Sequence, residues 1–189
     1  IRGMYRFSQG QPASRPERKA HLFGSGAIMT EVLRAQALLQ DLGVSADVWS
    51  VTSYNELCRE ALHVERANLL AGGTANGAGI SCPWVQQLLE KESGVFVAAS
   101  DYMKALPLSI SRWVPGPYVV LGTDGYGLSE SRPDLRTWFE VSAGYVAWAA
   151  LAALGDQGVV SPDELAAAAL RLGIEAKKPD PAYAGPASR

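Results

Sequence analysis

The sequence predicts an α/β protein whose mostly parallel sheet is covered by helices on both faces. Short runs of apolar residues alternate along the chain with longer segments in which apolar side chains recur at helical spacing. The short runs contain few polar residues, which is typical of strands that are buried on both faces. With 189 residues, 48% of them hydrophobic, the chain has the length of one domain and can bury a core without disulfide or metal cross-links.

The first half of the chain carries two pairs of a strand and a helix. Residues 8–19 are polar and include two prolines, so they predict a loop that leads into the domain. Residues 20–26 predict a strand closed by glycines, and the helix after it ends at Gly43. Residues 46–54 predict a second strand, and Asn55 is the expected cap of the helix that follows.

The middle of the chain alternates in the same way. Small residues and glycines fill 71–81, which predicts a flexible surface loop. A short helix follows, with Pro83 in its first turn. Residues 94–101 and 117–127 predict two further strands, and the segment between them, 103–114, predicts a short irregular helix.

The last third of the chain is predicted to be helical. Pro133 opens a helical turn, and Ser161 with Glu164 predicts a capping box for the final helix. The 15 residues from Val141 to Gly155 carry no charge, which predicts the most buried helix. This stretch is shorter than the roughly 20 residues that a membrane span needs.

Composition and charge exclude several classes of function. A formal net charge of −2 without a basic block argues against nucleic acid as the main partner. The two cysteines fit a reducing compartment, and no cationic segment leads into an apolar run, so we expect a cytoplasmic protein with no membrane partner. Because the chain begins with Ile1, we expect it to be a piece of a longer polypeptide.

The common nucleotide and hydrolase motifs are incomplete or missing. Gly24 and Gly26 begin a G-x-G-x-x-G dinucleotide motif, but Met29 stands at its third glycine. Asp47 comes too early to close the second strand. A tight turn that needs small residues is therefore the favoured interpretation. The patterns G-x-x-x-x-G-K-[ST] and G-x-S-x-G do not occur, which argues against phosphate-loop and hydrolase-elbow chemistry.

The histidines and cysteines form no recognisable site in the sequence. His21 and His63 are far apart, and neither has a second ligand at metal-binding spacing. We expect His21 at the mouth of a strand and His63 on a helix face. Cys58 and Cys82 lack a histidine partner that would activate a thiol. We therefore predict no catalytic, cofactor-binding or metal-ligating residue in this chain.

A thiamine diphosphate site is also incomplete. Its signature is a G-D-G segment followed roughly 25 to 30 residues later by Asn, and these residues supply hard oxygen ligands to magnesium. Residues 155–158, Gly-Asp-Gln-Gly, resemble the start of this signature, but no asparagine follows position 76. We expect neither thiamine diphosphate nor magnesium to bind this chain alone.

Polar and small residues follow the predicted parallel strands. The carboxyl ends of such strands share one edge of the sheet, where ligands approach open α/β proteins, so we predict a ligand-binding or docking edge there. The alternative is that Asp and Gly at these points are ordinary turn residues. Arg132 and Arg136, which have acidic neighbours, are interpreted as a solvent-exposed helix face. The predicted edge consists of Gly24, Ser25, Gly26, Asp101, Lys104, Thr123, Asp124 and Arg132.

Five segments carry a resemblance to a known family: GMYRF at 3–7, LFGSGAI at 22–28, DVWSVTSYNEL at 47–57, ASDYMK at 99–104 and VLGTDGYGLSESRPDLRTWFEV at 120–141. They are similar to the C-terminal domain of the homodimeric pyruvate dehydrogenase first component. That component is the thiamine-dependent decarboxylating subunit of the pyruvate dehydrogenase complex. The resemblance extends over about residues 1–178, and its last segment is the most specific.

The resemblance implies a parent enzyme similar to transketolase, with thiamine diphosphate and magnesium between its first two domains at a dimer interface. The parent would decarboxylate pyruvate and pass the acyl group to a lipoyl arm of the acyltransferase core. The domain at 20–178, between a lead-in at 1–19 and a tail at 179–189, would be a three-layer α/β/α unit around a five-stranded mixed sheet. It would support dimer assembly without being catalytic alone, and its partners would be the other domains and the homodimer mate.

The sequence departs from the family pattern after Arg66. The family usually continues there with a Trp-Asn pair and a His-Pro step, which residues 67–81 lack. This leaves open a divergent relative that acts on another 2-oxo acid. A regulatory module that binds a nucleotide or an acyl carrier at the predicted edge also stays open. A third alternative that stays open is a dimerisation domain whose Trp138, Tyr145 and Trp148 rings contact a partner. Burial of these rings in the domain's own core is the favoured interpretation.

Overall fold

A five-stranded sheet forms the middle layer of the protein in this computed structural model, which describes residues 2–72 and 80–184. The strands are Met4–Ser8 (β1), Lys19–Gly24 (β2), Ser45–Val51 (β3), Val95–Ala99 (β4) and Tyr118–Leu121 (β5). Their order in the sheet is β1-β3-β2-β4-β5. β1 runs antiparallel to β3, and the other neighbouring strands are parallel. The predicted mixed, mostly parallel sheet is confirmed.

Helices cover both faces of this sheet. They are Met29–Asp41 (α1), Tyr54–Leu70 (α2), Trp84–Leu89 (α3), Ala105–Leu108 (α4), Arg132–Trp138 (α5), Ala143–Asp156 (α6) and Pro162–Leu172 (α7). Residues of α1, α6 and α7 join the apolar core on one face, and residues of α2 and α3 join the core on the other. The three-layer α/β/α architecture is therefore confirmed. Within the described ranges, each helix is too short or too polar to cross a membrane.

Strand β1 lies within the segment that the sequence predicted as a lead-in. Met4 is its one buried residue, and its backbone pairs with that of Val51 in β3. The Arg6 guanidinium lies 4.7 Å from the centre of the Trp49 ring. Because most side chains of β1 stay exposed, the strand has no alternating apolar pattern that could have predicted it. The lead-in expectation is corrected for these five residues, and the domain boundaries stay predictions.

The start of α7 follows the sequence, and the starts of two other helices differ from it. Helix α3 begins at Trp84, so Pro83 is its N-cap and not, as predicted, a residue of its first turn. The predicted capping box of α7 is present, since the side chains of Ser161 and Glu164 each accept from the other residue's backbone N–H. Helix α2 begins earlier than predicted. The hydroxyl of Ser53 accepts the N–H of Glu56 at 3.2 Å, so Ser53 is the cap and the prediction for Asn55 was wrong.

Helix α6, whose one charged residue is Asp156 at its end, is the most buried of the described helices, as predicted, with eight of its 14 residues buried. The aromatic residues near it, Trp138, Tyr145 and Trp148, are half-buried. The Lys178 ammonium lies 5.2 Å from the ring centres of both Trp138 and Tyr145. Two of the three rings are thus partly covered by the chain's own C-terminal segment.

Most of the loop predicted at 71–81 falls outside the described residues, which resume at Ile80. The side-chain amide of Asn68 donates to the Ser81 carbonyl oxygen at 2.8 Å and accepts the Ser81 N–H at 3.0 Å. These two hydrogen bonds hold the backbone of Ser81 against the end of α2.

One buried carboxylate joins three helices above the sheet. Glu31, in the first turn of α1, is 5% exposed. Its Oε1 accepts from Arg136 Nη1 of α5 at 2.9 Å, and its Oε2 accepts from the backbone N–H of Ala143, the first residue of α6, at 2.9 Å. Arg34 also donates to Oε1, but its side chain is 70% exposed. Glu31 therefore fixes α5 and the start of α6 relative to α1.

We expect the Glu31→Gln substitution to lower the free energy of unfolding by about 2 kcal/mol, because it leaves the partly buried Arg136 without its charged partner. Arg34→Gln removes only an exposed pairing and should cost less than about 0.5 kcal/mol. Urea denaturation followed by tryptophan fluorescence measures both values. Equal losses in the two variants would contradict a special role for the buried carboxylate.

Candidate functional site

A cavity of about 400 Å³ opens at the carboxyl edge of the sheet, beyond the ends of β2 and β4. We call it the edge cavity. It lies between the turn after β2, the loops after β4 and β5, and helix α5. Its floor is apolar, and its rim carries polar and charged side chains. The lining residues are Ala27, Ile28, Asp101, Thr123, Gly127, Leu128, Arg132, Leu135, Arg136, Phe139 and Val141.

The loops after β4 and β5 are tied to each other beside this cavity. The N–H of Thr123 donates to the Tyr102 carbonyl oxygen at 3.0 Å. The N–H of Lys104 donates to Asp124 Oδ1 at 3.0 Å, and the Lys104 ammonium lies 3.7 Å from Asp124 Oδ2. A Cβ on Gly122 would lie 2.7 Å from the Tyr102 oxygen, so the close approach of the two loops requires glycine.

The turn after β2 forms another wall of the edge cavity. Gly24 packs against α1, where a Cβ would overlap the side chain of Met29 and lie 3.2 Å from Val32 Cγ2. Gly26 has a φ of +55°, in the left-handed region that favours glycine. This is the tight turn favoured by the sequence, and Met29 packs where a dinucleotide motif has its third glycine.

The three charged residues that line the cavity differ in their partners. Arg136 is bound to Glu31, so the expectation that it lies on a solvent-exposed helix face was wrong. Its partner is 105 residues away in the sequence, and the local acidic neighbours suggested surface pairing instead. Asp101 and Arg132 are exposed, and neither forms an ion pair with another described residue.

The structure brings some of the eight predicted edge residues together. Asp101, Thr123 and Arg132 line the cavity. Lys104 and Asp124 pair with each other in the adjoining loops. The remaining three residues, Gly24, Ser25 and Gly26, form the turn that leads into Ala27. Ligand binding by the eight residues stays a prediction. Sequence analysis did not identify the apolar floor of the cavity, because the residues of the floor cannot be distinguished by pattern from other core residues. These residues are Ile28, Leu135, Phe139 and Val141.

A second group of polar side chains is buried near the amino ends of β2 and β3. His21 and Asp47 are cross-strand neighbours, with exposures of 0% and 1%. His21 Nδ1 accepts from Trp49 Nε1 at 3.2 Å, and its Nε2 lies 3.1 Å from the Ser93 carbonyl oxygen. These contacts assign a neutral ring with its proton on Nε2. His21 therefore lies inside the sheet and not at its mouth, and Asp47 lies inside β3.

This group also contains a possible set of metal ligands that the sequence did not predict. Ligand atoms of His21, Asp47 and Glu92 lie within 4.8 Å of one another. However, the Lys19 ammonium lies 2.8 Å from Asp47 Oδ1, and the Arg6 guanidinium pairs with Glu92. A divalent ion would have to displace both cations, so the group fits internal ion pairing better than metal binding.

Residues 155–158, which resemble the start of a thiamine diphosphate motif, do not fit that cofactor. Asp156 is the last residue of α6, and Gly158 turns the chain with a φ of +72°. The carboxyl end of a helix carries partial negative charge and disfavours a diphosphate. Residues 155–158 therefore do not form a diphosphate site.

Because His21 is buried as a neutral ring, we expect the domain to lose stability in mild acid. Burial lowers the pKa of His21 below its ordinary 6.5, so the unfolded chain binds the proton more tightly and acid favours unfolding. We expect the free energy of unfolding to fall as the pH drops below 6.5, by at most about 1.4 kcal/mol per pH unit. Urea denaturation at several pH values between about 7.5 and 5 measures this slope.

Two variants isolate the His21 response. His21→Gln should make the stability nearly independent of pH in this range, whereas His63→Gln, on the exposed face of α2, should keep the slope. Asp47 does not interfere: its burial raises its pKa, but the hydrogen bonds from Lys19 and Gly10 together outweigh this effect and hold the pKa below 3.8. A slope that survives in His21→Gln would assign the effect to other groups.

Comparison with known proteins identifies homologues over nearly the whole chain. The pyruvate dehydrogenase E1 component of Pseudomonas aeruginosa is 42% identical over 183 residues, which is 96% of this chain and 20% of that protein. The protein of the same name from Mycobacterium tuberculosis is 39% identical over 176 residues, 93% of this chain and 18% of that protein. The chain thus spans about one fifth of the length of these relatives.

Solved structures and a family model agree on the fold. A transketolase mutant from Pichia stipitis superposes with a TM-score of 0.52 at 16% identity, over 85% of this chain and 19% of that one. A split-gene transketolase, described as an inactive β4 tetramer, gives 0.50 at 18% identity, over 82% of this chain and 43% of that one. The model of the transketolase-like C-terminal domain matches residues 3–142. The predicted resemblance is thereby confirmed, and the chain belongs to the transketolase-like C-terminal domain family.

Proposed function

We propose that this chain is the C-terminal domain of a thiamine diphosphate-dependent pyruvate dehydrogenase first component. The parent enzyme is an oxidoreductase that decarboxylates pyruvate and transfers the acyl group to a lipoyl group. The observation that carries the proposal is the match of 93% to 96% of this chain to E1 components from three bacteria, at 39% to 42% identity. In this proposal the parent is a cytoplasmic homodimer that serves a lipoyl acyltransferase core.

The chain's own residues support assembly in this proposal, while thiamine diphosphate and magnesium bind to other domains of the parent. Large apolar side chains stay exposed at the carboxyl edge of the sheet: Tyr102 is 57% exposed, Met103 42% and Tyr126 94%. Exposed large apolar side chains on one edge of a domain are typical of sites that other protein surfaces cover. The remaining domains of the parent and its homodimer mate are the partners that fit it.

We expect the 189-residue chain alone to be inactive. Calorimetric titration with thiamine diphosphate and magnesium should give no binding heat, because the carboxylate pairs described above are already neutralised by Lys19 and Arg6. A carbon dioxide release assay with pyruvate should give no turnover. Turnover from the isolated chain would contradict the proposal.

A chimera tests the positive half of the proposal. We expect activity with pyruvate when this chain replaces the matching segment of the Pseudomonas aeruginosa E1 component, and none when that segment is deleted. Leu57→Asp, which places a charge in the core, should abolish the rescue, whereas Arg66→Gln on the exposed face of α2 should not. A folded chimera that binds thiamine diphosphate but does not decarboxylate pyruvate would overturn the proposal.

A further inference from the structure

We propose that the edge cavity binds a small amphipathic zwitterion of the kind that a free apolar α-amino acid presents. Such a molecule carries an ammonium and a carboxylate group next to an apolar side chain. The inference rests on the charges, the shape and the position of the cavity. It does not depend on the reaction of the parent enzyme.

Two opposite charges in the cavity lack a partner within the described residues. Asp101 follows β4 and Arg132 begins α5, and both line the cavity without forming an ion pair. They belong to separate elements, and no ion pair within the described residues joins them to each other. A ligand with one positive and one negative group satisfies both of them at once.

The third charged residue of the cavity is already neutralised. Arg136 donates to Glu31 Oε1 at 2.9 Å, and its Nη2 lies 3.4 Å from the Ala27 carbonyl oxygen. Among the described residues, the charges of the cavity without an ion-pair partner are therefore one cation, Arg132, and one anion, Asp101. A dianion such as a phosphate monoester would meet the repulsion of Asp101, whereas a zwitterion matches the balance of charge.

The floor of the cavity suits an apolar side chain. Ile28, Phe139 and Val141 are at most 5% exposed, and Leu135 completes the surface. The volume of about 400 Å³ lies within the usual range of small-molecule sites. The accessible apolar surface of the cavity comes from Leu128, which is 37% exposed, and from the half-buried Leu135. A branched or aromatic side chain packed on them would displace water and supply affinity that the two exposed charges alone would not.

The position of the cavity agrees with a ligand site. In open α/β sheets, ligands bind beyond the carboxyl ends of the parallel strands. Thr123 follows β5 and adds a hydroxyl group to the rim, and its N–H bond to Tyr102 fixes the backbone there. The three polar groups of the rim thus come from two loops and one helix that the fold holds together.

Titration followed by ¹⁵N NMR tests the inference with L-leucine and L-phenylalanine as probes. Addition of either to the 189-residue chain should shift the amide signals of Thr123, Gly127 and Leu128 with millimolar affinity. N-acetyl-L-leucine lacks the ammonium, L-leucinamide lacks the carboxylate and glycine lacks the apolar body. Each should bind at least about tenfold more weakly than L-leucine.

Variants assign the two charges. Asp101→Asn and Arg132→Gln should each weaken L-leucine binding about tenfold or more, and Arg66→Gln on α2 should leave it unchanged. Far-UV circular dichroism verifies that the variants fold. The absence of shifts with both probes at about 10 mM would overturn the inference, as would equal binding of N-acetyl-L-leucine, which would indicate a simple anion site. An inactive chimera leaves these results unaffected, so the two proposals fail separately.

Discussion

The architecture of the carboxyl edge depends on the buried carboxylate of Glu31. Helices α1 and α6 pack on the sheet through apolar contacts, whereas α5 has no fully buried residue. Leu135 and Trp138 pack on the core only as partly buried residues, and the bond from Arg136 to Glu31 adds a buried polar contact that ties α5 to α1. The same carboxylate caps the first N–H of α6. Because Ser142 gives α6 no side-chain cap, Glu31 supplies the negative group that the start of a helix favours.

The two ends of the sheet use polar groups in opposite ways. At the amino end, His21, Asp47 and Glu92 bond to Trp49, Lys19 and Arg6, so their polar atoms are satisfied inside the domain. This group stabilises the sheet and offers little to a ligand. At the carboxyl edge, Asp101 and Arg132 remain available above an apolar floor. The chemistry that is open to other molecules therefore lies at the carboxyl edge.

The sequence predicted those features of the fold that depend on the spacing of residues close together in the chain. Apolar periodicity located strands β2 to β5 and the longer helices, and the Ser161 and Glu164 pair identified the start of α7. Long-range polar contacts were missed, because their meaning depends on a partner far along the chain. Glu31 lies four residues before Ala35 and eight before Leu39, on the apolar stripe of α1, and a charge at such a position is the signal that could have identified it.

Strand β1 and the edge cavity also depend on contacts between residues that are far apart in the chain. Met4 is the one buried side chain of its strand, so the pairing with β3 depends on backbone bonds that the sequence does not encode as a pattern. Asp101 and Thr123 follow the parallel strands β4 and β5, so strand direction brings them to one edge, where they line a cavity together with Arg132 of α5. Which of them keep a free charge depends on side-chain partners that only the assembled fold defines.

Hydrogen exchange tests most directly whether Glu31 holds the carboxyl edge together. In Glu31→Gln, the amides of α5 and of the first turn of α6 should exchange at least about tenfold faster relative to those of β2, while Arg34→Gln should leave this ratio unchanged. That outcome would mean that one carboxylate positions the helix that carries Arg132. A uniform change across α5 and β2 would show that Glu31 does not hold α5 and the start of α6 in place.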